Sequence, residues 1–184
     1  MAKAKQVNWR ATELAPIVLV FGPESYLALR AIRQLRERMR AADPALEVHE
    51  VSAADYVTNQ LSSLASPSLF GEPRLIVVDA VERCSDALIE DALEYLSAIS
   101  SAEVSDVVLV LRHNGSSVRG KKLLDAIRES PNCLEVLCNE IKRDSDKASF
   151  VESEFSAAHR KITPGAVRAL TAAFNDDLAE LSAS

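Results

Sequence analysis

The 184-residue sequence has few cysteines, few glycines and few aromatic residues, and it has no long apolar run. Its three cysteines leave one over in any disulfide pairing, which is typical of a reducing compartment rather than of a disulfide-linked domain. The longest apolar runs, residues 17–21 and 107–111, are far shorter than the roughly 20 residues of a membrane-spanning helix. Residues 1–16 lack the apolar core of a signal peptide. These absences predict a soluble intracellular protein.

Positive charge is also scarce, since 21 Lys and Arg residues face 27 Asp and Glu residues and the formal net charge is −6. This balance argues against a protein that relies on long-range attraction to nucleic acid, so any such contact is expected to be local. One local basic cluster stands out: Arg30, Arg33, Arg36, Arg38 and Arg40. We interpret it as a solvated helix face relieved by Glu37, because charged helix faces with nearby partners are common.

Apolar periodicity predicts alternating strands and helices. Five short apolar segments predict strands: residues 17–21, 46–51, 74–79, 106–111 and 133–138. Four segments with apolar residues at helical spacing lie between them: residues 24–40, 53–64, 86–99 and 121–129. Parallel neighbours in a sheet need a crossover helix between them, so this order predicts an α/β domain with a five-stranded parallel sheet and flanking helices.

The pattern changes at both ends of this domain. Residues 1–15 are polar and lack periodicity, which predicts a mobile N-terminal tail. The α/β domain is therefore placed at residues 16–141. Residues 142–184 contain a polar linker and then only helical patterns, and the last of these stops abruptly at the final residue, so we predict a small, truncated helical domain there.

The first strand is followed by a glycine-containing turn and a helix, the arrangement in which P-loop proteins bind phosphate. The turn contains Gly22, Glu24 and Ser25 but has no second glycine and no lysine, and Glu24 places negative charge where phosphate would lie. We therefore interpret it as a degenerate nucleotide site. Asp79 ends the third strand, as a magnesium-binding aspartate does in NTPases, but a turn or helix-capping role is the favoured interpretation.

A second candidate phosphate loop runs from Gly115 to Lys121 and fits the spacing G-x-x-x-x-G-K between a strand and a helix. Lys122 stands where a Ser or Thr hydroxyl should hold magnesium, so the motif is incomplete. Arg119, Lys121 and Lys122 remain candidate contacts for a phosphate of a nucleotide or of DNA.

Neither a metal site nor a nucleophilic centre is predicted, because the cysteines and histidines fall in separate elements and no catalytic motif is present. The loop at residues 66–73 needs another explanation. Its Leu69 and Phe70 are adjacent large apolar residues, bracketed by prolines and a glycine, in a segment where turn chemistry favours the surface. The residues alone fit two interpretations equally, a pair that caps the core or an exposed pair that binds a partner.

The order of these elements and five short motifs resemble the delta subunit of the bacterial DNA polymerase III clamp loader. The motifs are LVFGPESYL at residues 19–27, SLFGEPRLIVV at 68–78, GKKLL at 120–124, ITPGAV at 162–167 and NDDL at 175–178. Each motif is short, but their order and spacing make the resemblance specific, and it covers nearly all of the chain from about residue 16.

The resemblance implies an AAA+-like fold whose nucleotide site has decayed. It implies that Leu69 and Phe70, which follow Ser68, enter a hydrophobic pocket of the sliding clamp, and that the subunit favours opening of the clamp ring. It further implies a non-catalytic subunit of a DNA-directed DNA polymerase holoenzyme, with no cofactor of its own.

The implied partners are the sliding clamp, other clamp-loader subunits, and DNA through the complex, in the cytoplasm at the bacterial replisome and with no membrane contact. The family also has a helical collar domain, for which this chain has no counterpart. Two alternatives remain open: a P-loop NTPase or nucleotide-dependent kinase that uses Lys121, and a generic α/β protein-interaction module.

Overall fold

The computed structural model of the protein describes residues 3–66, 71–99, 106–173 and 178. Six strands lie in these ranges: β1 (Lys5–Asn8), β2 (Ile17–Phe21), β3 (Glu47–Ser52), β4 (Arg74–Asp79), β5 (Val107–His113) and β6 (Cys133–Leu137). The α-helices there are α1 (Ser25–Ala42), α2 (Gln60–Leu64), α3 (Asp86–Ala98), α4 (Lys121–Glu129), α5 (Asp144–Ala157) and α6 (Pro164–Ala173). None of these helices has the length and apolar character that crossing a bilayer requires.

The strands form one sheet in the order β1-β6-β2-β5-β4-β3, and all of its pairings are parallel. The predicted α/β class with a parallel sheet is therefore confirmed, whereas the predicted number of five strands is wrong, since the sheet has six. Strand β2 lies between β5 and β6, so the turn that follows it opens at the middle of the sheet's carboxyl edge.

The extra strand lies in the segment that the sequence predicted to be a mobile tail. Residues of β1 pair in register with β6, and the Gln6 amide donates to the carboxylate of the buried Glu135 over 2.6 Å. Trp9 follows in a short 3-10 helix, is 5% exposed, and lies under the guanidinium groups of Arg10 and Arg30. The prediction failed because an edge strand gains its order from backbone pairing, which leaves no apolar periodicity in the sequence.

Both faces of the sheet are buried, which explains why its central strands are apolar throughout. On one face, alternate residues such as Leu19, Ile76 and Leu109 join the core formed with helices α2, α3 and α4. On the other face, Val20 and Val110 are buried, and helix α1 contributes Leu35 to that side. Helix α1 is therefore the crossover connection between β2 and β3.

The chain divides into two compact units, residues 1–139 and 140–184. In the second unit, Phe150, Val151 and Val167 are buried. Thr163 caps α6, because its hydroxyl oxygen accepts from the Ala166 N–H over 3.3 Å. The polar run at residues 142–146, predicted as a linker, instead contains the start of α5, since its acidic residues favour a helix N-terminus.

Candidate functional site

The carboxyl ends of β2, β4 and β5 meet at one edge of the sheet and border a cleft of about 330 Å³. Its lining comes from the turns after β2 and β4 and from the end of β5: Pro23, Ser25, Asp79, Ala80, Glu82, Arg83, Arg112, Asn114 and Ser116. Ligands of open parallel sheets bind beyond this edge. The polar groups here therefore decide whether the chain offers a nucleotide site.

The turn after β2 is packed directly against strand β6. Gly22 has a φ of 141°, and a Cβ placed on it would lie 2.2 Å from the carbonyl oxygen of Cys138, so no larger residue fits there. Two N–H groups of the turn are already used, since Gly22 donates to the His113 carbonyl over 3.0 Å and Glu24 donates to the Cys138 carbonyl over 3.1 Å. These donors are directed into the sheet rather than toward an external anion.

Glu24 occupies the N-terminus of helix α1. Its carboxylate accepts the Tyr26 N–H over 3.2 Å and so acts as the helix N-cap. The partial positive charge at a helix N-terminus attracts anions, and here the chain supplies its own. The carboxylate therefore lies at the helix end where a P-loop would place a phosphate.

A fixed cation, Arg112, lies across the cleft. Its guanidinium forms an ion pair with Asp79 at 2.9 Å and donates to the Ser25 hydroxyl oxygen over 2.9 Å. Arg112 is 19% exposed, so this pair is partly shielded from solvent. The guanidinium ties the end of β4 to the start of α1, and it occupies the space between the two side chains that would hold a metal ion in an NTPase.

Asp79 was interpreted from the sequence as a turn or capping residue, but in the structure its carboxylate forms an ion pair with Arg112. Arg112 itself was missed by the sequence reasoning. The available signal was an aspartate at the end of one apolar strand and an arginine at the end of another, but their pairing requires β4 and β5 to be neighbours.

The second candidate loop lies between β5 and α4, as predicted, with Gly115 and Gly120 in left-handed conformations. Four of its backbone N–H groups are donated to neighbouring groups within or beside the loop. Their acceptors are His113 Nδ1 for Gly115, Asn114 Oδ1 for Ser116, Ser117 Oγ for Arg119 and the Val118 carbonyl for Lys121. These donors do not converge on an anion, so the loop is closed in a different way from a P-loop.

The three basic residues of this loop are separated by the fold. Arg119 turns toward α3, donating to the Cys84 carbonyl over 2.9 Å and pairing with Asp86 at 2.6 Å. The hydrogen bond that the Arg119 guanidinium donates to the Asp86 carboxylate raises the pKa of Arg119. Lys121 and Lys122 are exposed at the start of α4. Arg119 is thus used as a structural tie, whereas the two lysines are accessible.

His113, also missed by the sequence reasoning, supports both loops. It is fully buried, stacks on Phe21 with ring centroids 5.4 Å apart, and accepts the Gly115 N–H at Nδ1 over 2.9 Å. The other ring nitrogen therefore carries the proton and lies 3.3 Å from the Arg119 carbonyl. Burial lowers the pKa of His113, which keeps the ring neutral.

The thiols and histidines form no ligand cluster within the described part of the chain. Cys84, Cys133 and Cys138 are buried and unpaired. Burial raises the pKa of Cys138 to about 12 and also raises that of Cys133, so neither thiol is a reactive thiolate at neutral pH.

The residues predicted to bind a partner, Ser68, Leu69 and Phe70, lie outside the described residues. Their flanks are described. On one side, the carbonyls of Leu64 and Ser66 accept hydrogen bonds from the guanidinium of Arg74. On the other, Arg74 is the first residue of β4. Arg74 is a residue that sequence reasoning did not single out.

No family model matches the chain, and no curated protein matches it. Solved structures do. The Bacillus subtilis DNA clamp loader delta protein YqeN superimposes with a TM-score of 0.68 at 15% sequence identity, over 95% of this chain and 53% of that one. Domain III of the Thermotoga maritima replication initiation protein DnaA superimposes with a TM-score of 0.50 at 10% identity, over 95% of this chain and 75% of that one.

The chain has the fold of a clamp loader delta protein. The resemblance stated from the sequence motifs is thereby confirmed at the level of fold, together with the AAA+-like α/β class. The chain spans about half the length of the delta protein, with 53% of that chain covered.

Gly22→Ala tests the packing of the turn after β2. We expect a loss of roughly 2–4 kcal/mol in the free energy of unfolding, because the new methyl group meets backbone atoms and the φ angle disfavours alanine. Chemical denaturation measures it. Gly165→Ala is the matched control, since nothing lies within 4 Å of its added Cβ and alanine suits the helix better. Equal stability of the two variants would contradict this account of Gly22.

His113 predicts a pH dependence of stability. Its pKa in the folded protein is lowered from 6.5, so the unfolded chain binds more protons once the pH falls below about 6.5. The stabilisation is complete above that pH and is lost as the pH falls through the folded pKa. In denaturation curves recorded at several pH values, we expect His113→Asn to lack the loss of stability that His113 causes on acidification. Asparagine still offers an acceptor to the Gly115 N–H but does not titrate.

The control is His159→Asn, at an exposed position whose left-handed backbone asparagine tolerates. This variant should show the same pH dependence of stability as the wild-type protein. A His113→Asn variant with the full wild-type pH dependence would show that another group is responsible.

Proposed function

We propose that the protein is a delta-type clamp-loader subunit in DNA replication, which binds the sliding clamp through Leu69 and Phe70 and favours an open ring without hydrolysing ATP. The observation that carries the proposal is the fold of a clamp loader delta protein combined with a phosphate loop whose donors are used internally. Glu24 and Arg112 supply the charges that a nucleotide and its metal ion would otherwise bring. A protein with this fold and this closed loop is suited to act by binding.

The flanks of the Leu69–Phe70 segment support its proposed role. The Arg74 guanidinium joins the chain before the segment, through Leu64 and Ser66, to the chain after it. The same group pairs with Glu47 at 2.8 Å, and its hydrogen bond lowers the pKa of Glu47. The Arg74 N–H also donates to the Asp106 carbonyl over 2.7 Å. Both flanks are therefore fastened to the start of β4, which reduces the entropy lost when a partner binds the segment.

The proposed mechanism is differential binding, in which no covalent bond changes. A subunit that binds the open form of a ring more tightly than the closed form shifts the ring toward opening by that difference in affinity. The energy for repeated cycles would come from ATP-hydrolysing partner subunits. The proposed setting is the replisome in the bacterial cytoplasm, with other loader subunits as partners and DNA reached through the complex.

Lys121 and Lys122 remain the proposed phosphate or DNA contacts, because both are exposed at the start of α4. Arg119 is a weaker candidate than the sequence indicated, since its guanidinium is held by Cys84 and Asp86. The alternative of an NTPase or kinase that uses this loop is not favoured, because four loop donors are occupied. The alternative of a generic interaction module predicts no affinity for a sliding clamp.

Replacing Leu69 and Phe70 together with alanine tests the proposed contact. We expect the affinity for the sliding clamp of the same organism to fall by about a hundredfold or more, because two large apolar anchors lose their burial. Surface plasmon resonance with immobilised clamp measures it. Val118→Ala is the control, since that valine is 84% exposed in the other loop, and it should bind as the wild-type protein does. Unchanged affinity of the double variant would refute the assignment.

Arg74→Lys tests the role of the guanidinium in positioning the segment. Lysine keeps the charge beside Glu47 but cannot also hold both carbonyls, so we expect clamp affinity to fall by about five- to tenfold. Glu47→Gln is the matched control because it removes the charge pair and leaves the two carbonyl bonds in place. If the control loses as much affinity as Arg74→Lys, positioning by the carbonyl bonds is wrong.

A further inference from the structure

A second cleft lies beside helix α1, on the sheet face opposite α2, α3 and α4. It has a volume of about 290 Å³ and is bordered by α1 on one side and by β3, β4 and the end of β5 on the other. Its lining combines apolar side chains with three arginines and two carboxylates: Leu29, Ile32, Arg33, Arg36, Glu50, Val77, Asp79 and Arg112. Glu50 pairs with Arg36 and Asp79 with Arg112, so Arg33 adds a positive charge that no carboxylate of the lining pairs. None of the residues assigned to clamp binding contributes to it.

One stripe of α1 carries three basic residues and a leucine. These residues are separated by four, three and four positions and therefore share one face of the helix: Leu29, Arg33, Arg36 and Arg40. Arg33 and Arg40 have no ion pair or hydrogen bond with any residue that the structure describes. The sequence interpretation of a face relieved by Glu37 is not supported, since the ion pair formed here joins Arg36 to Glu50 at 2.7 Å.

Arg36 is only partly satisfied by that pair. One terminal nitrogen of its guanidinium contacts Glu50, whereas its Nε is buried and has no hydrogen-bond partner. A buried charged donor without an acceptor is costly. The Arg36 side chain as a whole is 34% exposed, so the accessible part of its guanidinium can donate to an incoming carboxylate as well as to Glu50.

The same cleft has an exposed apolar side chain next to these charges. Leu29 is 56% exposed, and Ile32 and Val77 form the apolar surface beside it. Exposed leucine adjoining arginine favours a ligand that has an apolar side chain as well as negative charge. The phosphate backbone of a nucleic acid lacks the apolar part, and the net charge of −6 opposes the approach of a long polyanion.

We propose that this cleft binds an acidic peptide segment of a partner protein. One large apolar side chain of the segment packs against Leu29 and Val77, and carboxylates on either side of it pair with Arg33 and Arg36. Charge complementarity is the argument for this occupant, since the stripe presents positive charge on a chain that is acidic overall. The interaction is independent of clamp binding by Leu69 and Phe70.

The test begins with selection from a phage library of random peptides of about 12 residues on the full chain. The expected sequences have a large apolar residue flanked by Asp or Glu. Fluorescence anisotropy of the strongest synthetic peptide then compares Arg33→Glu with Arg38→Glu, which changes the charge of α1 equally at an exposed position outside the stripe. We expect at least tenfold weaker binding for Arg33→Glu and less than twofold for Arg38→Glu.

Leu29→Ser should also weaken binding, by about fivefold, whereas a purely electrostatic surface would tolerate it. Melting temperatures should match the wild-type value, because Leu29 and Arg33 are exposed. The proposal is overturned if no peptide is selected, if the selected peptides lack acidic residues, or if both arginine variants bind equally. It is also overturned if a DNA single strand of about 20 nucleotides binds in an Arg33-dependent manner and the peptide does not.

Discussion

The ion pair between Arg112 and Asp79 is the interaction around which the carboxyl edge of the sheet is arranged. It joins the ends of β5 and β4, and its contact with Ser25 adds the start of α1. In P-loop NTPases the corresponding edge binds a nucleotide and its metal ion. Here the chain itself places a carboxylate, that of Glu24, and a guanidinium, that of Arg112, at this edge.

A closed edge changes how such a domain works. In the proposed function, the charged side chains at this edge take the place of a nucleotide, so the domain has no bound nucleotide whose hydrolysis changes its conformation. Its contribution then depends on the surfaces that the rigid sheet presents. The two surfaces proposed above are the Leu69–Phe70 segment, whose flanks are joined by Arg74, and the cleft beside α1.

Charged side chains of the protein also act through contacts with nearby groups. The protein is acidic overall, but several of its arginines form a specific ion pair with another element. Arg74, Arg112, Arg119 and Arg128 each hold a carboxylate of another element. Arg36 likewise pairs with Glu50, whereas Arg33 and Arg40 form no ion pair with any residue that the structure describes. Counting charges along the sequence does not make that distinction, because it depends on which carboxylate lies nearby.

The sequence alone determined the class of fold, and it led to the proposal that the first phosphate loop does not bind a nucleotide. Buried parallel strands are apolar along their whole length, which is visible in the sequence of each strand. The turn that contains Gly22, Glu24 and Ser25 lacks the second glycine and the lysine of a P-loop, which is also visible in a few consecutive residues. Only the tertiary structure decided the pairing of Asp79 with Arg112, the burial of His113 and the order of β1, since each depends on strands that are neighbours in the sheet but distant along the chain. The physical reason is distance along the chain. Composition and periodicity are properties of a single helix or strand, whereas ion pairs and the pairing of edge strands join elements that are far apart in the sequence.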